Sequence, residues 1–263
     1  MKKHIALAIA LLFTLVISIY FLSRGHRDIE NFSEDYEGAI RYHLTASNLD
    51  LKAVNTYPQK IEKINSEAPF DIMLLVKNQP YFKTDPVPYD KYQYDDTIAQ
   101  YLEPTETIQT DTELVTKTAD SFLSEDATII GIVSKALQWN KNNIRYDKPL
   151  SRLISVDITK TRSAEETIKL KAGACSEYAN VFVAFMRHLG IPARYVFGYH
   201  QAPDPTYHAW AEFYLKGYGW IPVETQTGKL GVPDFLIKLY VGKDLEDIGV
   251  QIYKMNAHYE VLE

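Results

Sequence analysis

The sequence predicts an α+β protein, on three observations. Apolar residues recur at helical spacing from about Ala127 to Leu189, and from Arg194 onward they alternate with period two. The two regimes meet at Gly190 and Pro192, a pair that ends a helix and keeps it from continuing. A helical half followed by a stranded half segregates the two kinds of element, as in α+β folds.

The chain opens with Lys2 and Lys3 before an uncharged run from Ile5 to Leu22. As a helix that run spans about 27 Å, enough for a bilayer core. It exceeds the apolar part of a secretory signal and has no polar face for a soluble helix. Ser23-Arg24-Gly25 places a bulky basic residue inside a small-x-small cleavage pattern. Residues 1–25 are therefore expected to be a membrane anchor or signal segment, with the uncleaved transmembrane helix favoured. The charge of Lys2, Lys3 and the terminal amine favours an extracytoplasmic main domain at the cell membrane.

Residues 26–105 are expected to form an N-terminal extension, β-rich or wrapped on the core. Phe70–Val76 reads as a strand. Pro80, Pro86 and Pro88 mark a loop. Tyr81, Tyr89, Tyr92, Tyr94 and Tyr101 fit a β-rich surface or a groove.

Residues 106–263 carry the clearer pattern. An amphipathic helix is predicted over about Ala127–Asn143, from Ile129, Val133, Ala136, Leu137 and Asn140. Ser163-Ala164-Glu165-Glu166 has the form of a capping box opening a short helix. Lys171-Ala172-Gly173-Ala174 reads as a turn-like break, and Cys175–Leu189 as a helix buried on most of its surface. Arg194–Tyr199, His208–Leu215 and Trp220–Glu224 read as strands, with a loop over His200–Tyr207 and a turn at Gly217-Tyr218-Gly219. Val250–Tyr253 and Tyr259–Leu262 are candidate closing strands.

Hydrophobic residues make up 46% of the 263, so the chain can build a core and is not of disordered composition. There are 28 basic and 34 acidic residues, a net charge of −6, and no basic block beyond the N-terminus. That balance argues against a nucleic-acid partner. A single cysteine excludes an intrachain disulfide, and a lone cysteine is ordinarily a small buried hydrophobe unless its surroundings say otherwise.

Three segments supply such surroundings. In Gly173-Ala174-Cys175-Ser176-Glu177 the cysteine stands at the first turn of a helix, where unpaired N–H groups favour thiolate over thiol. The preceding Gly173 would allow close approach of the chain to a substrate. In His208-Ala209-Trp210-Ala211-Glu212-Phe213, alternation puts His208, Trp210, Glu212 and Tyr214 on one face of a strand. The small Ala209 and Ala211 suggest close packing on the cysteine helix. In Gly219-Trp220-Ile221-Pro222-Val223-Glu224, a hairpin centred on Lys216 would set Glu224 opposite His208, where it could accept the second imidazole N–H. Each residue alone also has a structural explanation. A nucleophile, a base and an acid in this order are what a thiol triad needs.

These blocks, with Leu189-Gly190-Ile191-Pro192-Ala193-Arg194 and Gly198-Tyr199 between them and Trp139 and Ile144-Arg145-Tyr146-Asp147 upstream, resemble the core of the transglutaminase-like superfamily over about Thr107–Gly228. The resemblance implies a papain-like core, with a buried nucleophile helix on an antiparallel sheet. It implies a catalytic Cys175, His208 and Glu224, with glutamate where the family usually has aspartate. It also implies a thioester intermediate on an amide of a protein or peptide substrate, and no metal or organic cofactor. Water as acceptor makes a peptidase or amidase, an amine makes a crosslinking acyltransferase, and analogy with microbial members favours the hydrolase. The Cys175 N–H is one oxyanion donor; Trp139 and Tyr146 are nominated for the second. Arg194 is expected to be a strand-edge ion-pairing residue. Glu212 could support His208 in place of Glu224, or join His200 and His208 at a metal. The competing function is a non-catalytic module of the same fold that binds a protein or an envelope polymer.

Overall fold

The computed structural model describes residues 36–262, apart from residues 66, 79–84, 91, 201–205, 234 and 253–256. The expected membrane segment 1–25, Pro80, Tyr81 and most of the loop after His200 lie outside the described residues.

Five strands form the sheet that carries the site: β6 (Ala193–His200), β7 (Thr206–Leu215), β8 (Gly219–Glu224), β9 (Lys229–Leu230) and β10 (Leu236–Gly242), in the order β10-β6-β7-β8-β9. Every pair within it is antiparallel. The β7–β8 turn uses Gly217 and Gly219 at φ of +81° and +82°, conformations that only glycine adopts without strain. The β6–β10 pair needs Gly198 for another reason: a Cβ there would lie 2.0 Å from the Ile237 carbonyl oxygen.

The helices pack on one face of this sheet. Helix α3 (Glu113–Asp120), α4 (Ile129–Asn143), α6 (Ala164–Leu170) and α7 (Cys175–His188) bury Val115, Val133, Leu137, Ile168, Phe182 and Phe185 against Ala211, Phe213, Leu215, Ile221 and Val223. Each start has a physical cause. The Thr128 hydroxyl accepts from Gly131 N–H at α4, and Ser163 Oγ accepts from Glu166 N–H at α6, which is the serine half of the expected capping box. Lys171 ends α6 in the left-handed region, at φ +52°. The expected break at 171–174 is in part a strand: β5 (Ala172–Gly173) runs parallel to β4 (Arg145–Tyr146).

A second sheet is made by β1 (Ile40–Ala46), β2 (Gln59–Asn65), β3 (Phe70–Val76) and β11 (Ala257–Leu262), in the order β11-β1-β3-β2. Its alternating apolar residues Tyr42, Leu44, Ile72, Leu74 and Val76 pack with Tyr195, Phe197, Ala209, Ile237 and Leu239 of the first sheet. Short helix α1 (Leu51–Val54) adds Val54 to that layer. Gln59 fastens the two sheets: its side chain donates to the carbonyls of Val54 and Lys238 and accepts from the Lys238 N–H.

Residues 85–90 and 92–103, which include helix α2 (Asp96–Ala99), lie across the hairpin end of β7 and β8. Tyr94 meets Tyr214 edge-on at 5.8 Å, Tyr101 meets Trp220 at 5.1 Å, and the Tyr89 hydroxyl donates to the Leu189 carbonyl. Helix α5 (Lys148–Ile154) starts at the Asp147 cap. Of the strand expected over Val250–Tyr253, residues 250–252 are instead the end of helix α8 (Leu245–Ile252), and Tyr253 lies outside the described residues; two acidic residues, Glu246 and Asp247, open that helix at the favourable pole of the dipole. Strand β10 was not legible in the tail.

Candidate active site

Cys175 is the first residue of α7 and stands at the seam between the two apolar cores. Ala174 and Ala179 pack with the N-terminal sheet, while Tyr178, Val181 and Phe182 pack with the helical layer. Residue 174 is an alanine and has no hydroxyl to cap the helix. Glu177 supplies the reciprocal half of the capping box: Oε2 accepts from Ala174 N–H at 2.7 Å, and Oε1 accepts from Arg162 N–H at 2.9 Å. Burial raises the Glu177 carboxyl to about 7, against the opposing pull of those N–H donors. Gly173 serves this same contact. A Cβ on it would lie 2.4 Å from Glu177 Cβ, so the space it leaves is filled by Glu177, and the expectation that it opens room for a substrate is corrected.

Below the nucleophile, the Tyr195 hydroxyl donates to Ser176 Oγ at 3.0 Å. Tyr195 is fully buried, which pushes its hydroxyl well above the ordinary range. Tyr195 and Glu177 had no recognised role in the sequence; the signal for Glu177 was its place three residues after the helix cap.

His208 lies near the start of β7. Its Nε2 is 2.8 Å from Glu224 Oε2. The remaining nitrogen, Nδ1, is therefore the one free toward Cys175. Burial alone would lower the His208 pKa. The hydrogen bonds and charges of Cys175 and Glu224 outweigh it and raise the group to about 10. Glu224 is held in turn by Gln226, whose N–H donates to Oε1 at 3.1 Å.

The hairpin register differs from the one expected. Leu215 pairs with Gly219 and Ala211 with Val223, so the hairpin is centred on Gly217 rather than Lys216. Extending that register by one sets Glu224 opposite Trp210, and the carboxylate reaches His208 along the diagonal. Diagonal partners lie about 7–8 Å apart at Cα, within reach of a long side chain. Pairing between β7 and β8 stops at Ala211, which leaves the β8 side of His208 open for the carboxylate.

Glu212 does not support His208. It is wholly buried between Arg194, which donates from Nε at 2.7 Å, and Lys238, whose Nζ lies 2.7 Å away. These two cations hold the Glu212 carboxylate below its ordinary range against burial, and burial lowers Lys238 to about 8. The same ion pairs keep Glu212 from joining His200 and His208 at a metal. Arg194 is not on an edge, because β6 runs between β10 and β7, and its guanidinium also stacks over Trp220 at 4.2 Å. Trp210 is core, packed with Val196, Val232 and Leu236 and lying under His208 at 6.1 Å.

Of the two residues nominated as oxyanion donors, Trp139 packs edge-on against Phe185 at 5.2 Å in the helical layer. Tyr146 is paired with Gly173 on the strand beside the approach to Cys175, and its hydroxyl donates to Ser151 Oγ. His200, at the end of β6, faces His208 edge-on with ring centres 5.6 Å apart.

Residues 116–225 match the family model of the transglutaminase-like superfamily. An uncharacterised protein of Haemophilus influenzae is 27% identical over 156 residues, which are 51% of this chain and 41% of that protein, so the match spans less than half of its length. The solved structure of a candidate cysteine protease from Cytophaga hutchinsonii superposes with a TM-score of 0.58 at 19% identity, covering 86% of this chain and 88% of the other, a likeness of fold. The periplasmic domain of TgpA from Pseudomonas aeruginosa, bound to ethylmercury, gives 0.43 at 16% identity over 65% of each chain. Over residues 116–225 the chain thus matches the model of the transglutaminase-like superfamily, on a mixed α+β fold.

Proposed function

We propose that this protein is a thiol hydrolase of amide bonds in peptides or proteins, acting through Cys175, His208 and Glu224 and held at a membrane by its N-terminal segment. The observation that carries the reading is a buried imidazole held by a buried carboxylate, with a helix-initial thiol near enough to help raise its pKa. Nothing in a binding module requires that three-way arrangement.

In this reading the proton that Cys175 gives up is held on His208, and Glu224 fixes the ring and balances its charge. The sulfur attacks the amide carbonyl. A C–S bond forms, and the oxygen becomes an oxyanion beside the N–H of Cys175, the first of its helix. Collapse breaks the C–N bond, and His208 gives its proton to the leaving nitrogen. Water then attacks the thioester, its proton passing to His208. The C–S bond breaks, the acid leaves and the thiol is restored.

The test is product analysis by mass spectrometry, with the full chain in detergent and a mixture of peptide amides, with and without an added primary amine. The expected product is the free acid in both cases, absent with Cys175→Ala. Predominant transfer to the amine would replace hydrolase by acyltransferase, and no turnover of any amide would favour the binding module.

A further inference from the structure

The backbone leading into Cys175 is held at every residue from Lys171 to Ala174. Arg145 N–H donates to the Lys171 carbonyl at 3.0 Å, and Asp147 N–H donates to the Gly173 carbonyl at 2.9 Å. Glu177 accepts from Ala174 N–H. The Ala172 carbonyl accepts from a side chain: Arg162 Nη1 donates to it at 3.2 Å. The same Nη1 donates to Asp147 Oδ2 at 3.0 Å. The Asp147 carboxyl is held below its ordinary range by the Leu150 N–H and by Arg162, so the pair is ionic.

Arg162 also grips the nucleophile helix with its main chain. Its N–H donates to Glu177 Oε1 at 2.9 Å, and its carbonyl accepts from Asn180 Nδ2 at 3.1 Å. Glu177 and Asn180 belong to α7 and are wholly buried. The cap of α5 needs only Asp147 and the Leu150 N–H, and the β4–β5 ladder needs only backbone groups. The guanidinium is not required for either. What it adds is a fixed separation between strand β5 on one side and, through its own backbone, helix α7 on the other. Only Gly173 and Ala174 stand between Ala172 and Cys175, so a shift of the strand is carried into the thiol. The thiol must meet an imidazole that a different element, β7, holds in place. A displacement of 1 Å in such a pair costs about a hundredfold in rate.

We propose that Arg162 is a positioning residue of the thiol site: it locks strand β5 onto the start of α7 and so sets where Cys175 stands relative to His208. It touches neither the substrate nor the reacting atoms, and its effect rests on the thiol–imidazole reading of the site.

The test needs no substrate. It uses the full chain in detergent, with Arg162→Gln, Arg162→Lys and Asp147→Asn, and with Val115→Ala as a control for lost stability. Alkylation of Cys175 by iodoacetamide at one fixed pH should slow by about tenfold in Arg162→Gln, toward the rate of His208→Ala. Adding His208→Ala to Arg162→Gln should cost nothing further, because both changes break the same pair. The second readout is the His208 titration by NMR, where burial lowers the pKa and Cys175 and Glu224 raise it to about 10. Loss of a nearby cation through its field alone would raise the imidazole pKa, whereas displacement of Cys175 lowers it. A fall is expected. Arg162→Lys keeps the charge and a donor and should restore most of both readouts. Asp147→Asn should move both in the direction of Arg162→Gln, and it decides the matter if Arg162→Gln does not fold.

An alkylation rate and a His208 titration that stay as in wild type overturn the inference. So does a loss equal to that of Val115→Ala, a loss that adds to that of His208→Ala, or a rise of the His208 pKa. If His208→Ala itself alkylates like wild type, the thiol–imidazole reading falls and this inference with it. If both readouts behave as expected and no amide is turned over, it is the hydrolase reading alone that fails.

Discussion

The carboxylate of Glu224 meets His208 Nε2 at 2.8 Å along a diagonal of the hairpin, two residues from the position directly opposite. Glutamate has one methylene more than aspartate for that span. Glu224→Asp is expected to lower kcat by about tenfold or more, the scale of one misplaced general acid–base contact. Glu224→Gln keeps the length and removes the charge. It should move the His208 pKa from about 10 down toward the ordinary histidine value, read by NMR titration of the ring. A His208 titration indifferent to both changes would show that Glu224 does not hold it.

The raised His208 pKa also sets a pH dependence of stability. A folded-state value of about 10 lies above the ordinary 6.5, so the folded chain holds this proton longer than the unfolded one. The stabilisation is fully present below about pH 6.5 and is lost as pH rises through about 10. Urea denaturation of wild type and His208→Gln should show a stability gap that narrows over that window. A gap that widens with pH would contradict the sign.

Iodoacetamide should alkylate Cys175 faster in the wild type than in His208→Ala at the same pH, because the imidazole takes the thiol proton. Slow, identical profiles for the two proteins would make Cys175 a structural residue.

The start of helix α7 can be perturbed without touching the three reacting side chains. Gly173→Ala drives a methyl into Glu177 Cβ, and such overpacking costs about 1–3 kcal/mol. Glu177→Gln replaces one of two acceptors by a donor facing an N–H, and a buried donor without a partner costs about 1–3 kcal/mol. Both variants should melt earlier and lose more activity than a comparable loss of stability elsewhere, such as Val115→Ala in the helical layer, explains. Equal activity per folded molecule would show that the cap does not position Cys175.

Much of the site was legible because local chemistry determines it. The cysteine helix is set by its apolar surface and by Gly190 with Pro192, and β7 and β8 by alternation around a two-glycine turn. Register was harder. A centre at Lys216 and one at Gly217 differ by one residue, and the choice depends on the two positive-φ glycines, which sequence spacing does not weigh. Glu212 looked available because its partner Lys238 lies 26 residues away on β10, a strand whose inward lysine broke the apolar pattern. Strand β10 was missed for the same reason. Gly173 was misread because its neighbour in space, Glu177, is also its neighbour in sequence and had no recognised task.

The pairing of β1 with β11 has a consequence in time. Arg41 aligns with Leu262, so more than two hundred residues must leave the ribosome before that ladder can form. Closing so long a loop is slow compared with helix formation. Until then β1 keeps a free edge, and the layer that backs Cys175 and Ala209 is unfinished. During synthesis the nascent chain therefore holds Cys175 on an incomplete platform until the downstream strand arrives.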